Sequence, residues 1–346
     1  MDKRIIFAVA GAGKTTSIIN KLSLEENSLI ITYTENNFKN LKKKIIDKFG
    51  YLPNNIKIYT YFNFLYSFCY KPFLSLKVNA KGIYWDIPPM HTLRKKRNDP
   101  TFYMNSQRLL YHNRISKLLK QMNIEKLVNN RLEKYYTNLF IDEIQDFGGH
   151  DFNLLKSLTR ANINIIFVGD FFQHTFDTSK DGNVNQNIYN NIDNYKELFE
   201  EMNLTIDTET LSRSFRCSPT ICEFTRVKLG VEIESHSSIE TQVSYIEDID
   251  DIRETFHDNS IVKLFYQNSN KYNCFSMNWG KSKGQDHYND VCIVLNATTL
   301  KKYREDNLLS LATSTRNKLY VACTRCRGNL YLVDEKLIKK INNESI

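Results

Sequence analysis

The sequence predicts an α/β protein with two lobes, each built on a mostly parallel sheet. Short apolar runs alternate with helix-length amphipathic segments, which is the pattern of parallel strands covered by helices on both faces. The length of 346 residues exceeds that of one small domain. With 41% hydrophobic and 25% charged residues, the chain can bury a core in each lobe. We expect domains at 1–205 and 206–346, joined by a short crossing near residues 203–210.

The predicted elements fall in two series. The first half has strands predicted at 4–9, 28–33, 56–59, 139–141 and 163–168, with helices at 15–22, 37–48 and 150–159. The second half has strands predicted at 243–246, 261–266, 274–277, 291–295 and 329–333, with helices at 219–227 and 315–323. Each lobe therefore contributes several strand–helix units.

One stretch interrupts this alternation, because residues 70–136 are long for a connection between strands. A proline-containing segment precedes a helical run predicted over 106–135. The stretch contains the basic residues Arg94, Lys95, Lys96, Arg97, Arg108, Arg114, Lys117 and Lys120 and the aromatic residues Tyr84, Trp85, Phe102, Tyr103 and Tyr111. Such cations and rings would form a groove for a single strand of nucleic acid, and Arg94, Lys95 and Lys96 would contact that strand. They would equally form a small helical insertion with an aromatic core and solvated charges.

Charge and hydropathy bound the class of partner. The formal net charge of +8 favours a polyanionic partner without deciding the matter. No run of about 18 apolar residues is present, so we expect no membrane partner. The first residues lead directly into a predicted strand and lack the pattern of a signal peptide, so the expected location is the cytoplasm.

The seven cysteines are odd in number and scattered, which disfavours a disulfide framework. Cys323 and Cys326 form a CxxC pair, but no second tight pair with histidine support accompanies it. We expect these cysteines to be reduced and mostly buried rather than metal ligands.

A glycine-rich turn follows the first predicted strand and opens the first predicted helix. Residues 8–15 read Ala-Val-Ala-Gly-Ala-Gly-Lys-Thr. Glycines let backbone amides wrap phosphates, a lysine neutralises the β and γ oxygens, and the next hydroxyl can ligate Mg²⁺. The expected nucleotide-binding residues are Gly11, Ala12, Gly13, Lys14, Thr15 and Thr16. The alternative is a glycine-rich turn before an ordinary helix.

Two carboxylates end a second apolar strand, in residues 140–146. In a parallel sheet this end faces the ligand crevice. Asp142 would then hold Mg²⁺ together with Thr15, and Glu143 would orient and deprotonate the attacking water. An acidic junction between strand and loop is the common alternative, and only the accompanying phosphate loop makes the catalytic interpretation strong.

At these residues the sequence resembles the superfamily 1A helicases of the UvrD/Rep type. Residues 8–15 are similar to their AxxGxGKT motif, and residues 142–146 are similar to DExQD. The resemblance implies two RecA-like P-loop NTPase lobes with parallel sheets and a small helical insertion in the first lobe. It also implies hydrolysis of ATP with Mg²⁺.

Further segments of the first half extend the resemblance. Residues 31–37 are similar to the family's TFTN segment and residues 60–63 to its TFHS segment, both of which border a single strand in the family. This implies nucleic-acid contacts by Thr32, Thr34, Asn36 and Thr60, and Phe176 stands where the family stacks an aromatic residue on bases. Residues 168–173 resemble VGDxxQ, which implies that Gln173 senses the γ-phosphate.

The second half resembles the family in three segments. Residues 211–216 resemble LxxNYR, which implies that Phe215 stacks on adenine and Arg216 reaches the γ-phosphate. Residues 282–286 resemble SKGLE, which implies nucleotide contacts by Gly284 and a ribose contact by Asp286. Residues 319–325 resemble LYVALTRA, whose arginine, here Arg325, acts as a finger. Two arginines supplied by the opposite lobe would stabilise charge on the transferring phosphoryl group.

The resemblance implies an ATP-driven translocase or helicase on single-stranded DNA, moving 3′ to 5′, with RNA not excluded. The interval 217–281 is too short for the large second-lobe insertion of full-length relatives, so we expect a minimal motor that unwinds poorly by itself. Short motors of this kind occur in phage, plasmid or defence modules, which implies a nuclease or another protein as partner. The alternative is an NTPase switch subunit, regulated by nucleic acid or a partner, without unwinding activity.

Overall fold

The computed structural model describes residues 1–175 and 182–344, which form two compact units. The first unit comprises Met1–Ile6, Thr15–Gly169 and Phe176–Asp207. The second comprises Phe7–Lys14, Asp170–Thr175 and Thr208–Ile346. The domain boundary expected between residues 205 and 206 stays a prediction. The predicted α/β class with parallel sheets is confirmed, and the strands and helices predicted outside residues 70–136 occur with ends shifted by two residues at most.

The strands and helices of the first series alternate along the chain outside residues 61–135. The strands are β1 Lys3–Phe7, β2 Ser28–Thr32, β3 Ile56–Thr60, β4 Gly82–Tyr84, β5 Leu109–Tyr111, β6 Asn138–Asp142, β7 Asn164–Gly169 and β8 Thr205–Asp207. The helices are α1 Lys14–Asn20, α2 Glu35–Phe49, α3 Tyr61–Asn63, α4 Lys71–Val78, α5 Ile115–Gln121, α6 Glu125–Tyr135, α7 Gly149–Leu158 and α8 Ile192–Glu200. A π-helix, Phe64–Tyr70, joins α3 to α4.

The main sheet of the first unit is parallel and has the strand order β3-β2-β6-β7-β1-β8. Every residue of β2 and β6 is buried, as expected of central strands covered on both faces. Thr32 at the end of β2 pairs with Thr60 at the end of β3, and Asp142 at the end of β6 pairs with Val168 of β7. Because all strands run in one direction, their carboxyl ends meet at a single edge.

The helical run predicted over 106–135 is wrong in its first part. Residues Leu109–Tyr111 form β5, which pairs in parallel with β4. Arg108, at φ 64°, has a left-handed backbone that an α-helix cannot accommodate. Helix α5 begins only at Ile115, and Asn123, at φ 53°, then separates it from α6. The insertion is therefore mainly helical but includes a small two-stranded sheet.

Several charged and aromatic residues of the insertion form its core. Arg114 is 1% exposed, and its Nη1 donates to Thr92 Oγ1 at 2.9 Å and to the carbonyl of Phe102 at 2.6 Å. Its guanidinium lies 4.3 Å from the centre of the Phe102 ring. The buried side chains also include Lys117, Tyr103 and Tyr111. These buried residues agree with the interpretation of the stretch as an insertion with its own aromatic core. Arg94, Lys95, Lys96 and Arg97, in contrast, are exposed.

The second series follows β8, and the same unit also contains a short 3₁₀ turn, Phe171–Gln173. Its strands are β9 Arg213–Ser214, β10 Glu234–Ser235, β11 Val243–Tyr245, β12 Val262–Phe265, β13 Ser276–Asn278, β14 Val291–Leu295 and β15 Leu330–Asp334. Its helices are α9 Pro219–Leu229, α10 Ile249–His257, α11 Ala297–Arg304, α12 Thr313–Cys323 and α13 Glu335–Glu344. Five strands form a parallel sheet in the order β11-β15-β14-β12-β13, and β9 pairs separately with β10.

The core of the second unit lies between this sheet and its helices. Trp279 is fully buried there and donates its indole N–H to the carbonyl of Leu264 at 2.8 Å.

The cysteines are free thiols, and all except Cys274 are buried. Within residues 1–175 and 182–344, no group of three or more His, Cys, Asp or Glu side chains is placed to hold a metal ion by itself. No helix in the same ranges is long and apolar enough to cross a membrane.

Candidate functional site

The phosphate loop follows β1 and depends on two glycines with positive φ angles. Gly11 has φ 75° and Gly13 has φ 84°, in the region that residues with a Cβ avoid. A Cβ on Gly11 would also stand 2.6 Å from Ser214 Oγ and 2.7 Å from Arg216 Cβ. Only glycine therefore lets the loop and residues 214–216 of the second unit pack this closely.

Hydrogen bonds hold the loop in this position. The amide of Phe215 donates to the carbonyl of Gly11 at 3.0 Å, and the amide of Ala10 donates to the hydroxyl of Tyr320 at 2.9 Å. Ala12, next to both glycines, is buried. Lys14 and Thr15 follow at the start of α1, and Thr16 is exposed, with Lys44 Nζ 3.0 Å from its hydroxyl. The result is a glycine cradle of the kind that fits a phosphate group.

The acidic pair of the first unit lies at the carboxyl end of β6. Asp142 is buried, and its Oδ1 accepts a hydrogen bond from the Glu143 amide at 3.0 Å. Glu143 has φ 56°, a left-handed conformation that costs a residue with a side chain about 1 kcal/mol or more and often marks a functional site. Its Oε2 accepts a hydrogen bond from the amide of Gln145. Hydrogen bonds therefore hold both the backbone amide and the carboxylate of Glu143.

Gly169, at the end of β7, provides the room for this arrangement. A Cβ at this position would meet Gln145 Oε1 at 2.4 Å and Ile144 Cγ2 at 2.5 Å. The sequence analysis did not predict the contact of Gln145 with Glu143, although the place of Gln145 in the acidic segment could have indicated it. The oxygen donors of Thr15 and Asp142, both in the first unit, are of the kind that Mg²⁺ prefers, so the residues fit this ion.

The turn that begins with Asp170 belongs to the second unit. The carboxylate of Asp170 is buried, its Oδ1 accepts from the Phe172 amide at 3.1 Å, and its Oδ2 accepts from the Tyr320 hydroxyl at 3.0 Å. Burial and the charge of Asp170 raise the pKa of Tyr320 well above its ordinary value, so the hydroxyl keeps its proton and donates. Gln173, the predicted γ-phosphate sensor, closes the turn and is buried.

Two arginines of the second unit share one carboxylate. Arg216 forms an ion pair with Oδ1 of Asp286, and Nη1 of Arg325 lies 3.3 Å from the same oxygen. Arg216 also donates to the carbonyl of Thr324 at 3.0 Å, and Arg325 Nε donates to that of Val321 at 3.1 Å. Two cations on one anion leave a net positive charge beside the glycine cradle.

Arg325 is only 2% exposed. Burial, followed by the charge of Arg216, lowers the pKa of Arg325 to about 10, so the group remains charged at neutral pH. The carboxylate of Asp286 lies against both arginines, and the ribose contact expected of this residue stays a prediction. Gly284, at φ 83°, has open space where a Cβ would stand.

Phe215 presents its ring to solvent beside the phosphate loop. It is 64% exposed, and one face stacks on His236 with 4.0 Å between ring centres and 11° between planes. The parallel pairing of Ser214 with Ser235 brings these two side chains together. The sequence reasoning missed His236, because strands of two residues leave no periodic signal.

The residues predicted to contact nucleic acid are distributed over the first unit. Thr32 is fully buried at the end of β2, whereas Thr60 is half-buried at the end of β3. Thr34 caps α2 by accepting from the Asn37 amide at 3.1 Å, and Asn36 is exposed in the first turn of that helix. These residues lie at or follow the carboxyl ends of β2 and β3. Phe176, for which a nucleic-acid contact is predicted, lies outside the described residues.

The structure thus assembles the predicted residues in separate groups. In the second unit, Gly11, Phe215, Arg216, Asp286 and Arg325 form one chain of contacts. In the first unit, Asp142 and Glu143 are joined at the end of β6. The chemical roles assigned to these side chains stay predictions.

Comparisons with known proteins bear on this arrangement. A family model described as AAA domain, AAA_19, matches residues 2–177, just over half of the chain. No curated protein matches the chain. Among solved structures, the complex of arterivirus nonstructural protein 10, a helicase, with DNA is similar at 11% identity and a TM-score of 0.51, covering 98% of this chain and 63% of that one. A crystal structure of arterivirus nonstructural protein 10 is similar at 11% identity and a TM-score of 0.50, with 98% and 62% covered.

The chain therefore spans less than two thirds of the length of these viral helicases. At this level of identity the likeness concerns the fold. It agrees with the parallel sheets of both units and with the RecA-like α/β architecture predicted for them.

Proposed function

Since the chain belongs to the AAA_19 family of AAA domains, we propose that it hydrolyses ATP and couples hydrolysis to movement on single-stranded nucleic acid. The observation that carries the proposal is the packing of the phosphate loop at Gly11 against Ser214 and Arg216. A cradle for phosphates and a cation near them are two of the requirements of phosphoryl transfer. The glycine cradle and the cation Arg216 are in contact in this structure.

The catalytic roles follow from the chemistry of the side chains. Lys14, with Gly11, Ala12, Gly13 and Thr16, would bind the phosphates, and Glu143 would accept a proton from the attacking water. Thr15 and Asp142 would hold Mg²⁺, which when bound offsets the charge of the phosphate oxygens. Gln145 supports the assignment of Glu143, because its hydrogen bond fixes the carboxylate.

The second unit would supply charge stabilisation and nucleotide recognition. Arg216 and Arg325 would stabilise the transferring phosphoryl group, and Gln173 would respond to the γ-phosphate. The exposed face of Phe215 would stack on the base, and Gly284 and Asp286 would lie on the ribose side. The buried positions of Arg325 and Gln173 support roles that depend on fixed geometry.

We further propose that the chain is a short motor of the UvrD/Rep superfamily 1A type, with lobes at 1–205 and 206–346. It would move 3′ to 5′ on single-stranded DNA held near Thr32, Thr34, Asn36 and Thr60. The sequence motifs support this assignment. A cytoplasmic location and a nuclease or other protein partner belong to the same proposal and derive from the resemblance alone.

A second candidate function is an NTPase switch without unwinding activity. It is favoured by Asp286, which engages both arginines at once. If these contacts had to be released before Arg216 and Arg325 could act on phosphate, then hydrolysis would depend on a signal that releases them. A bound nucleic acid or a partner protein would be such a signal.

The test is the rate of phosphate release with and without single-stranded DNA or RNA, together with displacement of strands from 3′-tailed and 5′-tailed duplexes. A motor requires stimulation by the strand and directional displacement. Lys14→Ala should abolish turnover, whereas Lys21→Ala, a change of an exposed lysine beyond α1, should not. Turnover that no oligonucleotide stimulates would favour the switch, and near-normal turnover by Lys14→Ala would refute the nucleotide site.

A further inference from the structure

Trp85 is a large ring that the first unit leaves in solvent. It follows β4 and is 60% exposed. Two other rings fix its position: Phe62, edge-on at 5.1 Å between ring centres, and His112, within 24° of parallel at 6.1 Å. Isolated exposed apolar residues are common on protein surfaces. An exposed indole held by two further aromatic groups is a preorganised platform.

His112 is itself held in place. Its Nδ1 lies 3.2 Å from the carbonyl oxygen of Tyr84, and because a carbonyl only accepts, Nδ1 carries the proton in this contact. Phe62 packs edge-on against His112 at 5.6 Å. The three rings therefore contact one another in pairs and restrict the motion of Trp85.

The spacing of the rings indicates where another ring could bind. A planar group inserted between two parallel rings needs about 7 Å, which is two van der Waals separations of about 3.5 Å. Trp85 and His112 are only 6.1 Å apart, so no ring fits between them. A ligand ring would stack on the outer face of Trp85.

A cationic segment follows Trp85 in the same insertion. Arg94, Lys95, Lys96 and Arg97 are all exposed. The turn before them is anchored through Thr92, whose amide and hydroxyl both donate to the Pro89 carbonyl, at 2.9 and 2.7 Å.

Arg114 also holds this turn in place, because its Nη1 donates to Thr92 Oγ1 at 2.9 Å. The four cations thus extend from an ordered support. A ring platform and a row of cations on one insertion match a ligand with flat bases and regularly spaced phosphates.

We propose that Trp85, supported by Phe62 and His112, stacks on a base of single-stranded nucleic acid whose phosphates contact Arg94–Arg97. The inference rests on the proposed function and adds a base-stacking site to it. Phe62 connects this site to Thr60, since both belong to residues 60–63 that were predicted to border the strand. Stacking accepts every base because each has a flat face, so we expect little sequence preference.

The two tryptophans make the proposal directly measurable. Trp279 is 0% exposed and hydrogen-bonded inside the second unit, so quenching of tryptophan fluorescence by a bound strand reports Trp85. The intact chain is titrated with unlabelled oligo(dT) and oligo(U) by fluorescence and with labelled strands by anisotropy. Trp85→Ala should weaken binding about tenfold, and Trp85→Phe, which keeps a ring, should weaken it less.

Controls separate stacking from a general loss of apolar surface. Leu76→Ala removes a side chain that is 99% exposed in the same insertion and should leave affinity unchanged. Lys95→Ala with Lys96→Ala should reduce the slope of log affinity against log salt by about two. Thermal unfolding of each variant establishes that the fold is retained.

The outcomes distinguish this inference from the proposed function. If the strand binds and stimulates ATP hydrolysis while Trp85 fluorescence and Trp85→Ala affinity stay unchanged, the stacking site is refuted and the motor stands. If no strand binds and none stimulates hydrolysis, both are refuted. Quenching of Trp85 by anionic vesicles or an acidic peptide, but not by oligonucleotides, would also overturn the stacking site.

Discussion

The hydroxyl of Tyr320 donates a hydrogen bond to Oδ2 of Asp170 at 3.0 Å. The same hydroxyl accepts from the amide of Ala10 at 2.9 Å. Helix α12, which carries Tyr320, also contacts the turn after Asp170 through Asn317, whose amide donates to the carbonyl of His174 at 3.1 Å. One helix of the second unit therefore holds the phosphate loop and the turn that ends in Gln173.

Tyr320→Phe should destabilise the protein by about 1–3 kcal/mol, because a buried amide and a buried carboxylate each lose a partner. We also expect a raised KM for ATP, since the phosphate loop loses its link to α12. Denaturant unfolding and steady-state kinetics measure the two effects. Tyr51→Phe, on a tyrosine that is 56% exposed, is the control. Unchanged stability in Tyr320→Phe would contradict this reading of the hydrogen bonds.

Gly11→Ala tests the close packing of the phosphate loop. The new Cβ would stand 2.6 Å from Ser214 Oγ, and overpacking of this kind typically costs about 1–3 kcal/mol beyond the cost of a positive φ. Gly50→Ala is a matched control, because Gly50 has φ 80° but nothing within 4 Å of its Cβ position. We expect Gly11→Ala to lose stability and ATP affinity, and Gly50→Ala to lose only the smaller backbone contribution. Equal losses would argue against close packing at Gly11.

Much of the fold could be predicted from the sequence, because buried parallel strands leave continuous apolar runs. β6, at Asn138–Asp142, and β14, at Val291–Leu295, are fully buried examples. The strands Leu109–Tyr111 and Arg213–Ser214 could not be predicted in this way, since two or three residues do not establish a period. Short elements of this kind depend on tertiary pairing.

The candidate site could be predicted from the sequence where reactive side chains stand beside recognisable strands and helices. Lys14 begins α1 after the glycine-rich turn, and Glu143 directly follows β6, so sequence patterns locate both residues well. Contacts between distant segments were not predictable: Asp286 lies on Arg216, 70 positions away in the sequence. His236 beside Phe215 likewise depends on the pairing of β9 with β10.

Asp286→Asn tests whether the shared carboxylate organises the arginines. Removing its charge leaves Arg216 and Arg325 close together without the anion between them, so we expect kcat to fall about tenfold or more. If Asp286 instead served only the ribose, KM would rise and kcat would stay nearly constant. Asp306→Asn, which breaks the surface ion pair with Lys228, is the control and should change neither constant.

Glu143→Gln should keep ATP binding and slow hydrolysis about 10²–10⁴-fold, because an amide cannot accept the proton of water. The amide oxygen can still accept the hydrogen bond from Gln145, so local structure should persist. Single-turnover hydrolysis and binding of a fluorescent ATP analogue measure the two properties. Glu25→Gln, on an exposed loop, serves as the control. Rapid turnover in Glu143→Gln would exclude Glu143 as the base.

His236→Ala tests whether the stacked ring supports base recognition by Phe215. The 4.0 Å stack fixes the exposed Phe215 ring, and an aromatic pair typically contributes about 0.5–1.5 kcal/mol, so KM for ATP should rise several-fold at constant kcat. Inhibition by tripolyphosphate, which has no base, should stay the same. His236→Phe should restore most of the lost affinity, whereas His257→Ala, at a ring pair on α10, should have no effect on KM. A rise in KM accompanied by equally weakened tripolyphosphate inhibition would assign His236 to the phosphate side instead.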